Sequence, residues 1–316
     1  MTTLIVTLAA QPPAATTLCD VVLTHDGSTA ERQVIVPLTL LPVANGAEVV
    51  AVVPAGLLSW HQVELPRGTL DMGFFQDSNA PRLRAVLDGL LEERLLDEPA
   101  QLHLAIAPQA KVQTKVWVAA CDRSWLNAWL AALAQAGRPA SRIVPELAPP
   151  DSSGLAAIHV VGTSDAPKIL LSDAYGVTQL PLSVATVALL AWPDTDGVLA
   201  EPGVAALAEQ NFKGRVTLQT SAQRAMAAAQ SDWDLAQFDL LNTRQKRIEK
   251  RLSKDFFEFA ACVALASCTL GCIAAGSRES GGSAGMGVEG AIGTVVQACR
   301  HRQYLNLNFS RRACGR

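Results

Sequence analysis

The sequence predicts an α/β fold of several subdomains for residues 1–243. Short β-branched runs bounded by turn residues alternate there with apolar stripes of helical spacing, which is typical of α/β domains. A region of this length can bury one large core or about two to three small ones. Strands followed by a helix occur in both halves, although the sequence itself shows no clear repeat.

The first half opens with four predicted strands, separated by turn pairs such as Asp26-Gly27 and Asn45-Gly46. These strands are residues 4–8, 21–24, 33–37 and 48–54. After Pro81, apolar residues recur from Leu83 to Leu95 at the spacing of an amphipathic helix. Asn79 is placed to cap this helix at its N-terminus.

Two further strands, residues 102–107 and 114–120, are predicted before a second helix. This helix is predicted to open at Arg123-Ser124 and to end at Gly137, because glycine readily takes the left-handed conformation that closes a helix. Its predicted inner face consists of Trp125, Leu126, Trp129, Leu130 and Leu133.

The second half follows a proline-containing segment, residues 142–154, which is predicted to connect the two halves. Proline cannot continue a helix or lie in a central strand, and this segment holds Pro145, Pro149 and Pro150. Predicted strands 156–161, 168–172 and 177–181 come next, followed by helical patterns at 199–212 and 221–230.

A cluster of basic residues precedes a long uncharged run near the C-terminus. Residues 259–277 contain no charged side chain and would span roughly 28 Å as a helix, close to the thickness of a bilayer core. We therefore predict a basic linker, 244–255, and a single transmembrane helix within 256–277, with a buried Ala-rich core helix as the alternative. Basic residues stay on the cytoplasmic side, which places residues 1–243 in the cytoplasm. The basic residues are Arg244, Lys246, Arg247, Lys250, Arg251 and Lys254.

The remaining residues, 278–316, form a short tail rich in Gly, Arg and Cys. Seven glycines lie within residues 276–293, too many to pack a core, so the tail is predicted to be disordered.

Charge separates the two parts of the chain. Residues 1–243 contain 14 basic and 24 acidic residues, a formal charge of −10, which argues against nucleic-acid binding. An acidic surface could steer a basic protein partner, or it could simply keep the region soluble. Four carboxylates at the C-terminal end of the predicted Leu83–Leu95 helix are the candidate docking residues. The alternative is that they form only the solvated face of that helix. They are Glu92, Glu93, Asp97 and Glu98.

The sequence predicts no catalytic, cofactor-binding or metal-binding residues. It contains no nucleotide-binding Gly-rich loop ending in Lys-Ser/Thr, no nucleophile elbow and no His-Glu-x-x-His helix. The five histidines stand far apart, and Cys19 and Cys121 lack metal-ligand spacing, consistent with a reducing compartment. The turn Gly162-Thr163-Ser164-Asp165 could hold a phosphate on its backbone amides, or it could be a plain β-turn.

Several segments, taken in order, carry a family resemblance. They are Trp60-His61-Gln62-Val63-Glu64-Leu65-Pro66, the run from Leu83 to Asp97, Leu102-His103-Leu104-Ala105, Trp117-Val118-Ala119, Trp125-Leu126 with Trp129-Leu130, Val144-Pro145-Glu146, and Trp233-Asp234-Leu235-Ala236-Gln237-Phe238. As a set they resemble the cytoplasmic region of the type II secretion system protein L (GspL) family, in which a strand similar to the last segment lies just before the membrane anchor.

This resemblance implies an actin-like (ribonuclease H-like) cytoplasmic region, one inner-membrane helix and a periplasmic ferredoxin-like domain. Only 39 residues follow the apolar run, too few for that periplasmic domain. The composition of this tail resembles the translation of a GC-rich gene in the wrong reading frame more than it resembles a folded domain. The implied function is an inner-membrane scaffold of type II secretion. Its implied partners are the N-terminal domain of the secretion ATPase (protein E), the bitopic protein M and a second copy of the chain.

Two other functions stay open, an actin-like nucleotide-binding protein and a type IV pilus assembly scaffold. Nucleotide-binding relatives carry an Asp-containing, Gly-rich turn between their first two strands. Residues 9–13 occupy that place here with neither Gly nor a carboxylate, and Pro12 and Pro13 remove amide donors. The chain is therefore predicted to keep the fold without the chemistry, and not to be an enzyme.

Overall fold

The computed structural model describes residues 2–42, 46–69, 80–108, 110–150, 156–190 and 197–240. The chain divides into two compact units, 1–247 and 248–316, and every described residue lies in the first. The predicted basic linker, transmembrane helix and tail, together with Asn79, lie outside the described residues and stay predictions. Within the described ranges, no helix is long and apolar enough to cross a membrane.

Thirteen strands and five α-helices make up the described region. The strands are β1 (Thr3–Thr7), β2 (Leu18–Thr24), β3 (Arg32–Pro37), β4 (Glu48–Val53), β5 (Ser59–Glu64), β6 (Leu102–Ile106), β7 (Lys115–Asp122), β8 (Arg142–Pro145), β9 (Ala157–Thr163), β10 (Ala166–Asp173), β11 (Gly176–Pro181), β12 (Val198–Ala200) and β13 (Thr217–Leu218). The helices are α1 (Ala80–Leu91), α2 (Arg123–Gln135), α3 (Val184–Leu190), α4 (Ala205–Phe212) and α5 (Ser221–Gln230).

Two of the three sheets share one topology. Sheet 1 has the order β3-β2-β1-β4-β8, and sheet 2 has the order β11-β10-β9-β12-β13. In each order, the first three strands pair antiparallel with their neighbours. The last two strands then pair parallel beside the central strand, which is β1 in sheet 1 and β9 in sheet 2. Sheet 3, with order β5-β7-β6, is inserted in the chain between β4 and β8. The repeat that the sequence does not show is therefore present in the strand order.

Helices cover both faces of sheet 1. The face with Leu4 and Val6 packs against α2, whose Trp129 is fully buried, and against one face of sheet 3. The opposite face packs against the small side chains of α5. Helix α1 covers the other face of sheet 3 through Leu83 and Leu87, and α4 packs on sheet 2. Alternation along β1 explains this arrangement, because successive residues of a strand point to opposite faces.

Much of the predicted secondary structure is confirmed. The predicted strands of both halves appear within a few residues of their predicted ends, and α5 has the predicted bounds. Helix α2 begins at Arg123, and Gly137 follows it with a φ of 74°. Four of the five predicted inner-face residues of α2 are buried, while Trp125 is half-buried.

Three predictions of secondary structure are wrong. Helix α1 ends at Leu91 instead of reaching Leu95, whose N–H closes a final turn onto the Leu91 carbonyl. The predicted helix at 199–212 is the short strand β12 followed by α4, because parallel pairing with β9 outweighs the local pattern and Pro202 separates the two elements. The predicted connection at 142–154 begins with β8, where Pro145 is tolerated because β8 is the last strand of its sheet.

Strand β5 and helix α3 were not predicted as regular elements. In β5 only Val63 is buried, so the strand lacks the alternating pattern by which strands are recognised. Its full antiparallel pairing with β7 is a tertiary interaction that the sequence pattern does not reveal.

Candidate functional site

Five charged side chains line a cleft between sheets 1 and 2. The cleft has a volume of about 780 Å³, and residues of both sheets and of α5 line it. The cleft is lined by residues of β2, of the β9–β10 hairpin, of α5 and of the segments that follow β8 and β12. Its charged lining residues are Asp20, Glu146, Lys168, Glu201 and Arg224.

Arg224 is the centre of this site. It projects from α5, is only 8% exposed, and its Nε donates to Oε1 of Glu146 at 2.7 Å. Its Nη2 donates to Oε1 of Glu201 at 2.6 Å. Glu146 directly follows β8 of sheet 1, and Glu201 directly follows β12 of sheet 2. One guanidinium group therefore joins the two sheets.

The second oxygen of each carboxylate is also bonded. Oε2 of Glu146 accepts from the N–H of Ala55 at 2.9 Å, and Oε2 of Glu201 accepts from the N–H of Gly162 at 2.9 Å. Burial alone would disfavour the charge of Arg224, but the two carboxylates raise the pKa of Arg224 above its ordinary value. The arginine is thus a paired structural cation, already neutralised within the protein.

Neither the Gly162 turn nor the loop 9–13 has the geometry of a phosphate-binding turn. Gly162 and Thr163 line the cleft, but the turn after them is the short link of the β9–β10 hairpin, and the Gly162 N–H is taken by Glu201. The loop 9–13 lies elsewhere, where the Gln11 carbonyl accepts from the Trp129 indole at 3.2 Å. Of the two readings of the Gly162 turn, the structure favours the plain β-turn.

The remaining carboxylate of the cleft is held from two sides. Asp20 accepts hydrogen bonds from Gln33 on β3 and from Ser221 at the start of α5. Three carboxylates therefore face the cleft against two cations, Lys168 and Arg224, which leaves a formal excess of one negative charge. This electrostatic balance is unfavourable for the phosphates of a nucleotide.

A second distinctive feature is the irregular segment 231–240, which we name the strap. At β8, the edge strand of sheet 1, the Leu235 N–H donates to the Ile143 carbonyl at 2.6 Å, and the Ile143 N–H donates to Oδ1 of Asp234 at 3.3 Å. Trp233 of the strap packs edge-on against Trp60 of β5, with ring centroids 5.0 Å apart.

The strap also covers β6, the edge strand of sheet 3. The side-chain amide of Gln237 replaces a neighbouring strand there: Ile106 N–H donates to Oε1 at 3.0 Å, and Nε2 donates to the Ile106 carbonyl at 2.9 Å. His103 donates from Nε2 to the Leu235 carbonyl at 2.6 Å. The segment that resembles the family's strand is therefore not a strand, but it closes two sheet edges.

His103 makes the strap sensitive to acid. Burial lowers the pKa of His103 to about 4, and the guanidinium groups of Arg84 and Arg123 act in the same direction, against the Leu235 hydrogen bond. The unfolded chain takes up this proton near the ordinary value of about 6.5, so folding stability should fall as pH drops from about 6.5 to about 4. Replacing His103 by Gln, which keeps an amide donor, should remove about 2 kcal/mol of the stability lost between about pH 7.5 and pH 5.

Urea unfolding of the chain at both pH values measures this difference. His25→Gln is the control for the loss of a histidine, since the side chain of His25 is exposed. An identical pH dependence for His103→Gln and the parent would contradict a neutral, buried His103.

The four predicted docking carboxylates are all exposed. Because α1 ends at Leu91, they lie in the turn segment after the helix and not on its solvated face, which corrects that interpretation. Their role in docking stays a prediction. The four residues are Glu92, Glu93, Asp97 and Glu98.

Other reactive groups do not converge on either feature. Among the described residues, no group of three or more His, Cys, Asp or Glu side chains is arranged to hold a metal ion. Burial raises the pKa of Cys19 to about 11, and burial together with Asp122 raises the pKa of Cys121 to about 12, so neither thiol is a ready nucleophile.

Sequence reasoning missed the residues that carry the cleft and the strap. Arg224 is the only charged residue of α5, whose other residues are mostly alanine. A lone arginine in such a helix could have indicated a buried ion pair. Glu146 stood in the predicted connection 142–154, and Gln237 stood in a segment noted for its resemblance. Nothing in the sequence near Glu201 indicated its role.

Comparison with known proteins agrees with the predicted resemblance. Residues 20–163 match the family model described as "Type II secretion system (T2SS), protein L". The fold is similar to that of the cytoplasmic domain of EpsL, an inner membrane component of the type II secretion system of Vibrio cholerae, with a TM-score of 0.51 and 18% sequence identity over 75% of this chain and 98% of that one.

A second solved structure with some similarity is a Bacteroides thetaiotaomicron protein described as having an actin-like ATPase fold and unknown function. It has a TM-score of 0.34 and 10% identity over 72% of this chain and 95% of that one. No curated protein matches the chain.

The mixed α/β class, predicted from alternating patterns, is confirmed, and the predicted resemblance to this family is confirmed over residues 20–163. The matched region includes β2 to β9 and with them most of sheets 1 and 3. The segment of this chain that is similar to type II secretion system protein L is therefore residues 20–163.

Proposed function

We propose that the chain is an actin-like scaffold of the type II secretion system that recruits the cytoplasmic secretion ATPase, protein E, and couples it to the inner-membrane platform. The observation that carries this proposal is the Arg224 network. Arg224 joins Glu146 and Glu201 across the cleft, so the two sheets are held together and the guanidinium group is already paired. Such a body suits a fixed platform, and we propose that it has no catalytic activity of its own.

The strap supports the membrane part of the proposal. It lies directly before the basic linker, 244–255, and the apolar segment, 256–277, which we propose to be a single inner-membrane span with residues 1–243 in the cytoplasm. Because the strap is hydrogen-bonded to β6 and β8, a force on the linker would be transmitted to the backbones of two sheets. We further propose protein M and a second copy of the chain as partners at the membrane.

The acidic surface after α1 is our candidate for ATPase docking. Its four carboxylates are exposed within a short segment, and residues 1–243 carry a formal charge of −10. Complementary charges act mainly on the association rate, and salt screens them. The proposed partner surface is accordingly a basic face of the N-terminal domain of the ATPase.

Reversing this charge should slow association. A variant with Lys at Glu92, Glu93, Asp97 and Glu98 should bind the N-terminal domain of the ATPase with an association rate constant lowered by about tenfold at low salt. The difference should shrink between low and moderate ionic strength, because the charges are exposed and therefore screened. Stopped-flow or surface-based binding kinetics at several salt concentrations measure both effects.

A control variant should carry the same change in net charge at exposed acidic residues elsewhere. These are Glu64, Asp165, Glu209 and Asp232. Equal slowing by both variants would show a general charge effect only, and an unchanged rate in the first variant would exclude the surface after α1.

A nucleotide-binding function is the second candidate. It is favoured by the cleft between sheets 1 and 2, which share one strand order, because this arrangement is expected of an actin-like fold. Calorimetric titration of the chain with magnesium and ATP separates the two functions. Saturable binding would favour the nucleotide-binding protein, whereas the scaffold predicts none. Binding tests against both secretion and pilus ATPases separate the scaffold from a pilus assembly protein.

A further inference from the structure

Strand β3 is an open edge of sheet 1. It is the last strand of the sheet on the side opposite β8, and the strap covers β8. The N–H of Leu38 donates to the Thr17 carbonyl at 2.9 Å, which continues the β2–β3 register. Since bonding alternates along an antiparallel strand, Val34 and Val36 bond to β2, while the N–H and C=O groups of Gln33 and Ile35 point away from the sheet.

This edge also exposes apolar side chains. Ile35 is 66% exposed, and Leu18 on the neighbouring strand is 56% exposed. Both lie on the face of sheet 1 that α5 covers, because Gln33, two residues from Ile35, bonds to Ser221 of α5. Helix α5 therefore covers the middle of this face and leaves Ile35 uncovered at its border.

Three other edge strands of the described region are covered, while the exposed edge strand β13 of sheet 2 is only two residues long. The strap covers β6 and β8, and β5 contacts β11, where the side chain of Trp60 leaves little room for a Cβ at Gly176. Native proteins usually protect an open edge with charged residues, proline or a covering segment. On β3, the protection is limited to Arg32 and Pro37 at its two ends.

We propose that β3 is a dimerisation strand, which pairs antiparallel with β3 of a second copy of this chain about a two-fold axis at Ile35. The N–H of each Ile35 would donate to the carbonyl of Ile35 in the other copy. The N–H of each Gln33 would donate to the carbonyl of Pro37, so the proline needs no N–H for these bonds. This surface goes beyond the homodimer expected from the family, and it does not depend on ATPase recruitment.

A second copy fits this edge because the strand is self-complementary. The two-fold pairing places Ile35 against Ile35 and Val34 against Val36, which are residue types that favour pairing. The one charged residue of β3, Arg32, falls opposite Leu38, so no like charges meet. Two-fold symmetry also makes the contact closed, so pairing stops at a dimer and does not continue into a fibre.

Disulfide cross-linking tests the register. In a hydrogen-bonded antiparallel pair the opposite Cα atoms are about 5.5 Å apart, within the range that a disulfide can bridge. The full chain is used, with the five cysteines beyond residue 240 replaced by Ala; Cys19 and Cys121 are buried and stay. Ile35→Cys in this background should form a disulfide-linked dimer on mild oxidation, at least tenfold more than Leu218→Cys.

Leu218 is the matched control because it is 61% exposed and lies on β13, the edge strand of sheet 2. Equal cross-linking at both positions would indicate random collision and would overturn the proposal.

Sedimentation equilibrium provides the second measurement. Ile35→Lys in the full chain places like charges directly opposite each other and should raise the dimer dissociation constant at least tenfold, whereas Leu218→Lys should leave it unchanged. Near-ultraviolet circular dichroism confirms that both variants are folded. A parent chain that is monomeric, or an Ile35→Lys chain that dimerises as the parent does, would overturn the proposal.

Discussion

Replacing Arg224 by Met is expected to lower the free energy of unfolding by about 3–5 kcal/mol. Methionine keeps most of the packing of the arginine but leaves Glu146 and Glu201 without their shared cation. The three side chains are 10%, 13% and 18% exposed, so water would restore only part of the lost interaction. Breaking one partner of a buried ion pair is destabilising because a desolvated charge is left behind. Urea unfolding followed by tryptophan fluorescence measures the change.

Two variants test this explanation. Arg215→Met removes an exposed arginine and should change stability by less than about 0.5 kcal/mol. Combining Arg224→Met with Gln at Glu146 and Glu201 should recover more than half of the lost stability, because neutral amides are less costly to bury than carboxylates. A single Arg224→Met variant as stable as the parent would show that the network does not hold the two sheets together.

Replacing Gln237 by Leu is expected to lower the free energy of unfolding by about 2–5 kcal/mol. Gln237 is 7% exposed, and its amide satisfies both backbone groups of Ile106, which is fully buried. Leucine fills a similar volume but offers no donor or acceptor, so two buried polar groups would lose their partner. The strap should also loosen, which hydrogen exchange at the N–H of Ile106 would report as faster exchange.

Gln135→Leu is the control for this experiment, because Gln135 is exposed at the end of α2. It should leave both stability and exchange nearly unchanged. A Gln237→Leu chain that keeps slow exchange at Ile106 would show that another group closes the edge of sheet 3.

Most elements of the fold could be predicted because their signals are local. A β-branched run such as β4 and a helix with a capping residue such as α5, capped by Thr220, carry their own evidence within about ten residues. Prediction failed where a partner outside the segment decided the outcome. Val198 to Ala200 lie beside β9 in sheet 2 and are therefore extended, although their pattern continued into a helical one.

The candidate site was less predictable for the same reason. Arg224 meets Glu201 from 23 residues away and Glu146 from 78 residues away in the chain. Gln237 meets Ile106 across 131 residues. No spacing rule connects residues so far apart, because their distance in space is set by the order of strands and not by the period of a helix or strand.

By itself, the sequence determined the α/β class, the resemblance to type II secretion system protein L and the absence of recognisable phosphate-binding loops, since residue types and short-range periodicity express these directly. Only the tertiary structure decided that two sheets share one strand order, that Arg224 joins them and that the strap closes two edges while β3 stays open. These features arise from pairing between distant segments. Burial then decides their energy, because a charge or a peptide group removed from water must find its partner inside the fold.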